Sequence, residues 1–110
     1  MDYEERLRTL AINDERFGPD AGARQVHPEV LDAKTLALVR LGALIAVGGA
    51  EPSYGALGDD ALNAGASPAE MVDVLIGVLP VVGLPRGVAA AARLSLALGF
   101  DVEAAADDTH

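Results

Sequence analysis

The sequence predicts an all-α fold of about five to six helices, and three observations carry this prediction. Residues that start or stop helices recur along the chain, among them Ser67, the Gly48-Gly49 pair and Gly99. The apolar residues between them follow three- and four-residue spacings or cover every face of a helix. No stretch alternates strictly between apolar and polar residues as a half-buried strand would, and there is no internal repeat.

Residues 1–30 are predicted to form an N-terminal helix and a linker. Asp2–Ala11 is a short charged helix with a thin apolar stripe. Asn13–Gly22 is predicted to be a turn or short helix, and Ala23–Pro28 a linker, because Pro28 biases the preceding residue towards an extended conformation.

Residues 31–100 are predicted to form the helical core, which begins with two helices. Asp32 is a good N-cap for a helix over Ala33–Val47, which Gly48-Gly49 ends. Pro52 starts a second helix over about Ser53–Ala64.

The segment from Ser67 to Arg86 organises the rest of the core. Ser67 and Glu70 have the spacing of a capping box, and no charge follows Asp73 until Arg86. A helix that is apolar on all sides is expected to be enclosed, with copies of the subunit covering one another, and Pro80 is expected to kink it.

An Ala-rich helix over Arg86–Leu98 is predicted to complete the core. Residues 101–110 are then predicted to form a C-terminal short helix over Val102–Ala106 and a polar tail, with Asp101 as the N-cap. Together the predictions describe one helical domain with short terminal extensions.

Composition excludes several classes of function. The net charge of −9 argues against nucleic acid and anionic membranes as partners, since both require basic patches. The chain has no cysteine, which excludes thiolate chemistry and Cys-ligated metals. Met1 leads directly into a charged run and no apolar run approaches about 20 residues, so we expect neither signal peptide nor membrane span and a cytoplasmic location.

Several stretches resemble the carboxymuconolactone decarboxylase family, which includes the alkylhydroperoxidase D-like proteins. They are LDAKTLALVRLGALIAVGG, the helix ending ALNAGASPAEM, and VLIGVLPVVGLPRGVAAAARLSLALG, covering about Leu31–Phe100. The resemblance implies an all-helical, homo-oligomeric domain, a trimer or hexamer. The flanking segments LAINDERF and ALGFDVE resemble a subset of the family without an assigned reaction.

The residues that carry chemistry in this family are missing here. The CxxC and His positions of the peroxidase members fall on Ala50, Ser53 and Leu57, and the acidic residue of their proton relay falls near Leu38. The decarboxylase members' His also falls on Leu57. The resemblance therefore implies the fold without the family's thiol or His chemistry, and we expect no cofactor and no metal site.

A few polar residues remain as candidates, each with two interpretations. Glu51 either places a favourable charge at a helix start or acts as a general base. Tyr54 is either a packed ring with a solvated hydroxyl or, beside Ser53, a ligand contact. Arg40 either forms a structural ion pair with Glu70 or Asp73 or binds an anionic ligand.

Two functional hypotheses follow. The first is a homo-oligomeric small-molecule-binding or structural protein, with Arg40, Ser53 and Leu57 as candidate ligand contacts. The second is an enzyme that performs proton transfer on a small carboxylate, such as a decarboxylase or a lactone or keto-acid isomerase, with Glu51 and Tyr54 as candidate catalytic residues. Arg93 carries the same two interpretations as Arg40. A peroxidase function is a weaker third hypothesis, because it would rest on the family resemblance alone.

Overall fold

Four helices between Ala33 and Ala97 surround an apolar core in the computed structural model, which describes residues 2–12 and 27–100. They are α2 (Ala33–Val47), α3 (Glu51–Asn63), α4 (Pro68–Val82) and α5 (Leu84–Ala97), and α1 (Tyr3–Ile12) precedes them. The described residues are helical or irregular, so the predicted all-α class is confirmed.

The four helices pack in a ring. α2 lies against α3 and α4, and α5 closes the ring by packing against α3 and α4. The side chains of Leu41, Ile45, Tyr54, Met71 and Leu94 are all fully buried. Each of the four helices therefore supplies at least one large side chain to the same core.

The first compact unit ends at Leu31 and contains α1. The Asp2 carboxylate accepts a hydrogen bond from the Glu5 N–H at 2.8 Å, and the Arg6 guanidinium lies 3.8 Å from the Glu29 carboxylate. No residue of α1 is buried. The predicted turn over Asn13–Gly22 and the C-terminal helix over Val102–Ala106 lie outside the described residues.

The predicted caps of α2 and α4 are confirmed. The Thr35 N–H donates to the Asp32 carboxylate at 2.7 Å. At the start of α4 the Glu70 N–H donates to the Ser67 hydroxyl at 3.1 Å, and the Ser67 N–H donates to the Glu70 carboxylate at 3.0 Å. These local signals determine where both helices begin.

Two helices begin earlier than predicted. α3 starts at Glu51 instead of Ser53, and α5 starts at Leu84 instead of Arg86. In both helices a proline lies within the first turn, where its missing N–H has no intrahelical partner to lose. The proline therefore belongs to the helix instead of preceding it.

Helix α4 is less enclosed within one copy of the chain than its composition suggests. Met71 and Leu75 are its buried residues, whereas Ile76 is 57% exposed and Val81 is 85% exposed. α4 also continues two residues past Pro80, and it ends at Gly83. A single copy thus covers one face of α4 and leaves an apolar face uncovered.

Helices α2 and α4 run in the same direction. The Lys34 ammonium in the first turn of α2 lies 2.7 Å from the Glu70 carboxylate in the first turn of α4. Farther along, a Cβ at Gly42 would meet Val74 at 3.4 Å and Val78 at 3.6 Å. The carboxyl ends of both helices consequently meet at one end of the bundle, where α5 begins.

Gly87, which is buried, lies where α5 packs against Leu79 of α4. A Cβ at this position would overlap the end of the Leu79 side chain, so a larger residue here would require Leu79 to adopt another rotamer.

Within the described residues, no helix has both the length and the apolar character needed to cross a membrane.

Candidate functional site

A pocket of about 470 Å³ opens at the end of the bundle where α2 and α4 finish and α5 begins. Its apolar wall comes from five residues, Val47, Gly48, Val82, Pro85 and Ala89. Its remaining lining residues are Arg86 and Arg93. These two arginines lie seven residues apart on α5, so two helical turns bring them to the same face.

Arg86 forms a hydrogen bond with the end of α2. Its guanidinium donates a hydrogen bond to the Ala46 carbonyl, one of the carbonyls that the last turn leaves without an intrahelical partner. Gly48 ends α2 with φ of 78°, and a Cβ there would lie 3.1 Å from Arg86 Nη1. Arg86 thus caps α2 as well as lining the pocket.

Arg93 forms no hydrogen bond or salt bridge of this kind within the described residues. The salt bridges among them join Arg6 to Glu29 and Lys34 to Glu70. Arg93 is half-buried and lines the pocket, and no carboxylate of residues 2–12 or 27–100 lies within 4.0 Å of it. The pocket therefore contains a cation whose charge is not paired by the described chain.

Tyr54 on α3 lies in the core and is not one of the residues that line the pocket. The predicted solvated hydroxyl is wrong, because the residue is 0% exposed and its hydroxyl has no hydrogen-bond partner in the described structure. Burial raises the pKa of the Tyr54 hydroxyl, and the positive charges of Arg93 and Arg86 offset only part of that rise. The hydroxyl is therefore protonated near neutral pH.

None of the sequence-predicted residues on α3, Tyr54 included, lies in the pocket lining. Glu51 and Ser53 are exposed in the first turn of α3, and Leu57 is half-buried one turn later. Glu51 at this position interacts favourably with the helix dipole. The structure therefore brings none of the candidate residues of α3 into the pocket.

Arg40 lies on an exposed part of α2 and does not line the pocket. The predicted ion pair of Arg40 with Glu70 or Asp73 is wrong, since the salt bridges among the described residues join Lys34 to Glu70 and Arg6 to Glu29. The parallel packing of α2 and α4 explains the difference, because it places the two first turns side by side. Arg40 instead keeps its charge in solvent.

No group of three or more His, Asp or Glu side chains that could hold a metal ion is found in the described parts of the chain. The polar side chains that line the pocket are the guanidinium groups of Arg86 and Arg93, which have no lone pair to offer a metal ion.

Sequence reasoning missed Arg86 as a pocket residue and left Arg93 with two interpretations. The seven-residue spacing of these arginines on one helix was visible in the sequence. The pocket that they line depends on how α5 packs against α2 and α4, which no local signal specifies.

Comparison with known families places this geometry in context. The model of the Carboxymuconolactone decarboxylase family matches residues 19–95, more than half of the 110-residue chain. No match was found among curated proteins or among solved structures.

Proposed function

We propose that this chain, which belongs to the carboxymuconolactone decarboxylase family, is a homo-oligomeric small-molecule-binding protein that works without the family's thiol or His chemistry. The observation that carries the proposal is the pocket at the start of α5, with an apolar wall and two arginines. Its volume falls within the range typical of small-molecule sites, and its mixture of many apolar groups with few polar ones is also typical.

The absence of family chemistry is a property of the sequence. The chain has no cysteine, and neither of its two histidines, His27 and His110, lies in the helices that build the pocket. Ala50, Ser53 and Leu57 occupy the positions where relatives are expected to carry Cys and His. This chain therefore cannot supply a thiolate, and no imidazole comes from those helices.

The uncovered face of α4 supports self-association. Val72 and Ile76 are exposed one turn apart on this helix, and Val39 is exposed on the neighbouring α2. Exposed apolar groups that cluster on adjacent helices favour burial against another protein surface. A second copy of the chain is the partner we propose, in a trimer or hexamer.

Sedimentation or light scattering of the purified protein tests this assembly. We expect a trimeric or hexameric mass for the native chain and a smaller mass for Ile76→Glu, because the carboxylate cannot be buried in an apolar contact. Ala56→Glu adds the same charge to an exposed position of α3 and is the matched control. A native protein that remains monomeric at high concentration contradicts the homo-oligomer.

Binding is tested by titrating ¹⁵N-labelled protein with a fragment set that contains equal numbers of neutral, cationic and anionic compounds. We expect saturable shifts of amides around the pocket, and their loss in Ala89→Phe, which fills it. Ala91→Phe is the matched control, since Ala91 is exposed about 200° around the same helix. If no fragment of any charge shifts these amides, the small-molecule function is wrong.

Proton transfer remains a hypothesis that no observed contact favours. Its two candidate residues, Glu51 and Tyr54, both lie outside the pocket lining. A binding function needs neither residue to move a proton, which is why we prefer it.

A further inference from the structure

Helix α5 carries an apolar stripe on a side that one copy of the chain leaves open. The stripe consists of residues at successive four-residue steps, which form one row along a helix: Leu84, Val88, Ala92 and Leu96. All of them are exposed, and the larger side chains are exposed to 68% at Leu84, 61% at Val88 and 53% at Leu96. Since the outer face of a surface helix is normally polar or charged, this stripe is an unpartnered apolar face.

Phe100 adds another exposed apolar side chain at the end of α5. The Gly99 N–H donates to the Leu96 carbonyl at 3.0 Å, and the Phe100 N–H donates to the Ser95 carbonyl at 2.7 Å. With Gly99 at φ of 80°, these bonds form a Schellman motif, which turns the chain back against the last turn of the helix. Phe100 is held there with 55% of its surface exposed. Uncovered apolar surface therefore accompanies α5 from its first turn to its end.

No charged residue interrupts the α5 stripe. Leu84–Ala97 contains neither Asp nor Glu, although the net charge of the chain is −9. The two cations of this helix, Arg86 and Arg93, line the pocket and are not stripe residues. Copies of an acidic protein repel each other where carboxylates meet, so a surface without carboxylates is where two copies can approach at least electrostatic cost.

The order of side-chain sizes along the stripe fits a second copy of the same helix. Ala92 lies midway between Val88 and Leu96, and it is the smallest side chain of the stripe. In a two-fold contact, a residue at the axis faces its own counterpart on the partner. A methyl group at that point lets the two helices approach closely, while the larger side chains on both sides pack into grooves of the facing helix.

We propose that the α5 stripe packs against the α5 stripe of a second copy across a two-fold axis near Ala92. This inference rests on the proposed homo-oligomer and specifies one of its contacts. A two-fold contact pairs copies and cannot by itself build a trimer. It joins two trimers that assemble through the uncovered face of α4, and the resulting assembly is a hexamer.

Disulfide cross-linking tests the two-fold contact directly, because the chain has no cysteine of its own. Ala92→Cys places one thiol on each copy, and two such thiols meet efficiently only where position 92 faces itself. Under mild oxidation we expect a covalent dimer to form roughly 100-fold faster than in Ala56→Cys, since the contact raises the effective concentration of the partner thiol. Ala56 is exposed on α3 and provides the matched control.

The mass of the assembly gives an independent test. We expect a hexamer for the native chain and a trimer, half that mass, for Val88→Glu, because the contact would bury a carboxylate from each copy. Val88 is 61% exposed in one copy, so the variant should keep the native circular dichroism spectrum. Ala56→Glu adds the same charge on α3 and should remain hexameric.

Three results would overturn the inference. An oligomeric native chain in which Ala92→Cys cross-links no faster than Ala56→Cys places the contact on another face and leaves the proposed assembly standing. A native trimer refutes the stripe contact and agrees with the proposed homo-oligomer. A native monomer refutes both the assembly and the stripe contact, whereas small-molecule binding is still decided by the fragment titration.

Discussion

Replacing Tyr54 by Phe should stabilise the ligand-free protein, although most substitutions in a core destabilise. The ring is 0% exposed and the change removes only a hydroxyl that has no hydrogen-bond partner in the described structure. A buried polar group without a partner costs about 1–3 kcal/mol relative to its hydrated form in the unfolded chain. The small cavity that the hydroxyl leaves behind reduces this gain in stability by about a few tenths of a kcal/mol, at about 24 cal/mol per Å³.

We therefore expect Tyr54→Phe to raise the free energy of unfolding by about 1 kcal/mol, which corresponds to roughly 4 °C in Tm for a domain of this size. Urea denaturation at fixed protein concentration measures this change in the free energy of unfolding. Tyr3→Phe makes the same chemical change at a residue that is 70% exposed, and should shift the free energy of unfolding by less than about 0.5 kcal/mol. A loss of stability in Tyr54→Phe, with Tyr3→Phe unchanged, would show that the hydroxyl has a partner in solution and would refute the reasoning.

Three further predictions concern the core and the start of α4. Ser67→Ala should lower the free energy of unfolding by about 1 kcal/mol, because it removes the acceptor for the Glu70 N–H, whereas Ser53→Ala, exposed in the first turn of α3, should change it little in the same urea titration. The hydrogen bond from Lys34, and then that from the Ser67 N–H, hold the pKa of Glu70 below its ordinary value. The Glu70 carboxylate therefore stabilises the fold at pH values above its ordinary pKa, and this stabilisation is lost as the pH falls through the lowered pKa of the folded state. The free energy of unfolding, measured across acid pH, should show the loss. Glu70→Gln should make the free energy of unfolding less dependent on pH in that range. Leu41→Ala should lower the free energy of unfolding by about 2–5 kcal/mol in thermal unfolding, because Leu41 is 0% exposed at the centre of the core. A loss under about 1 kcal/mol would mean that neighbouring side chains fill the cavity.

Helix starts were predictable where one side chain determines them. Asp32 and Ser67 accept hydrogen bonds from N–H groups three residues ahead, and this spacing is readable in the sequence. Pro52 and Pro85 were harder to interpret, because a proline is compatible both with the residue before a helix and with its first turn.

The burial of α4 could not be predicted from its composition. Its sequence is apolar on every side, yet Val81 is 85% exposed in one copy. Hydrophobicity identifies surface that must be covered but does not say whether the same chain or a neighbouring copy covers it.

The pocket was even harder to predict from the sequence, because it depends on tertiary packing. Its lining comes from the ends of α2 and α4 and from α5, so it forms only when these three helices pack together. Arg40 interrupts an apolar helix, and the sequence could not show that it would lie on the exposed side of α2 instead of beside the pocket.

The hydrogen bond from Arg86 to the Ala46 carbonyl has a kinetic consequence. It joins positions 40 residues apart, and because closing so long a loop costs conformational entropy, we expect this bond to form after the folding transition state. Interactions that form after the folding transition state slow unfolding and leave the folding rate nearly unchanged. In stopped-flow experiments Arg86→Met should therefore raise the rate of unfolding after a jump into urea and leave the rate of refolding unchanged. The end of the bundle that carries the pocket would then be the last to assemble and the first to come apart.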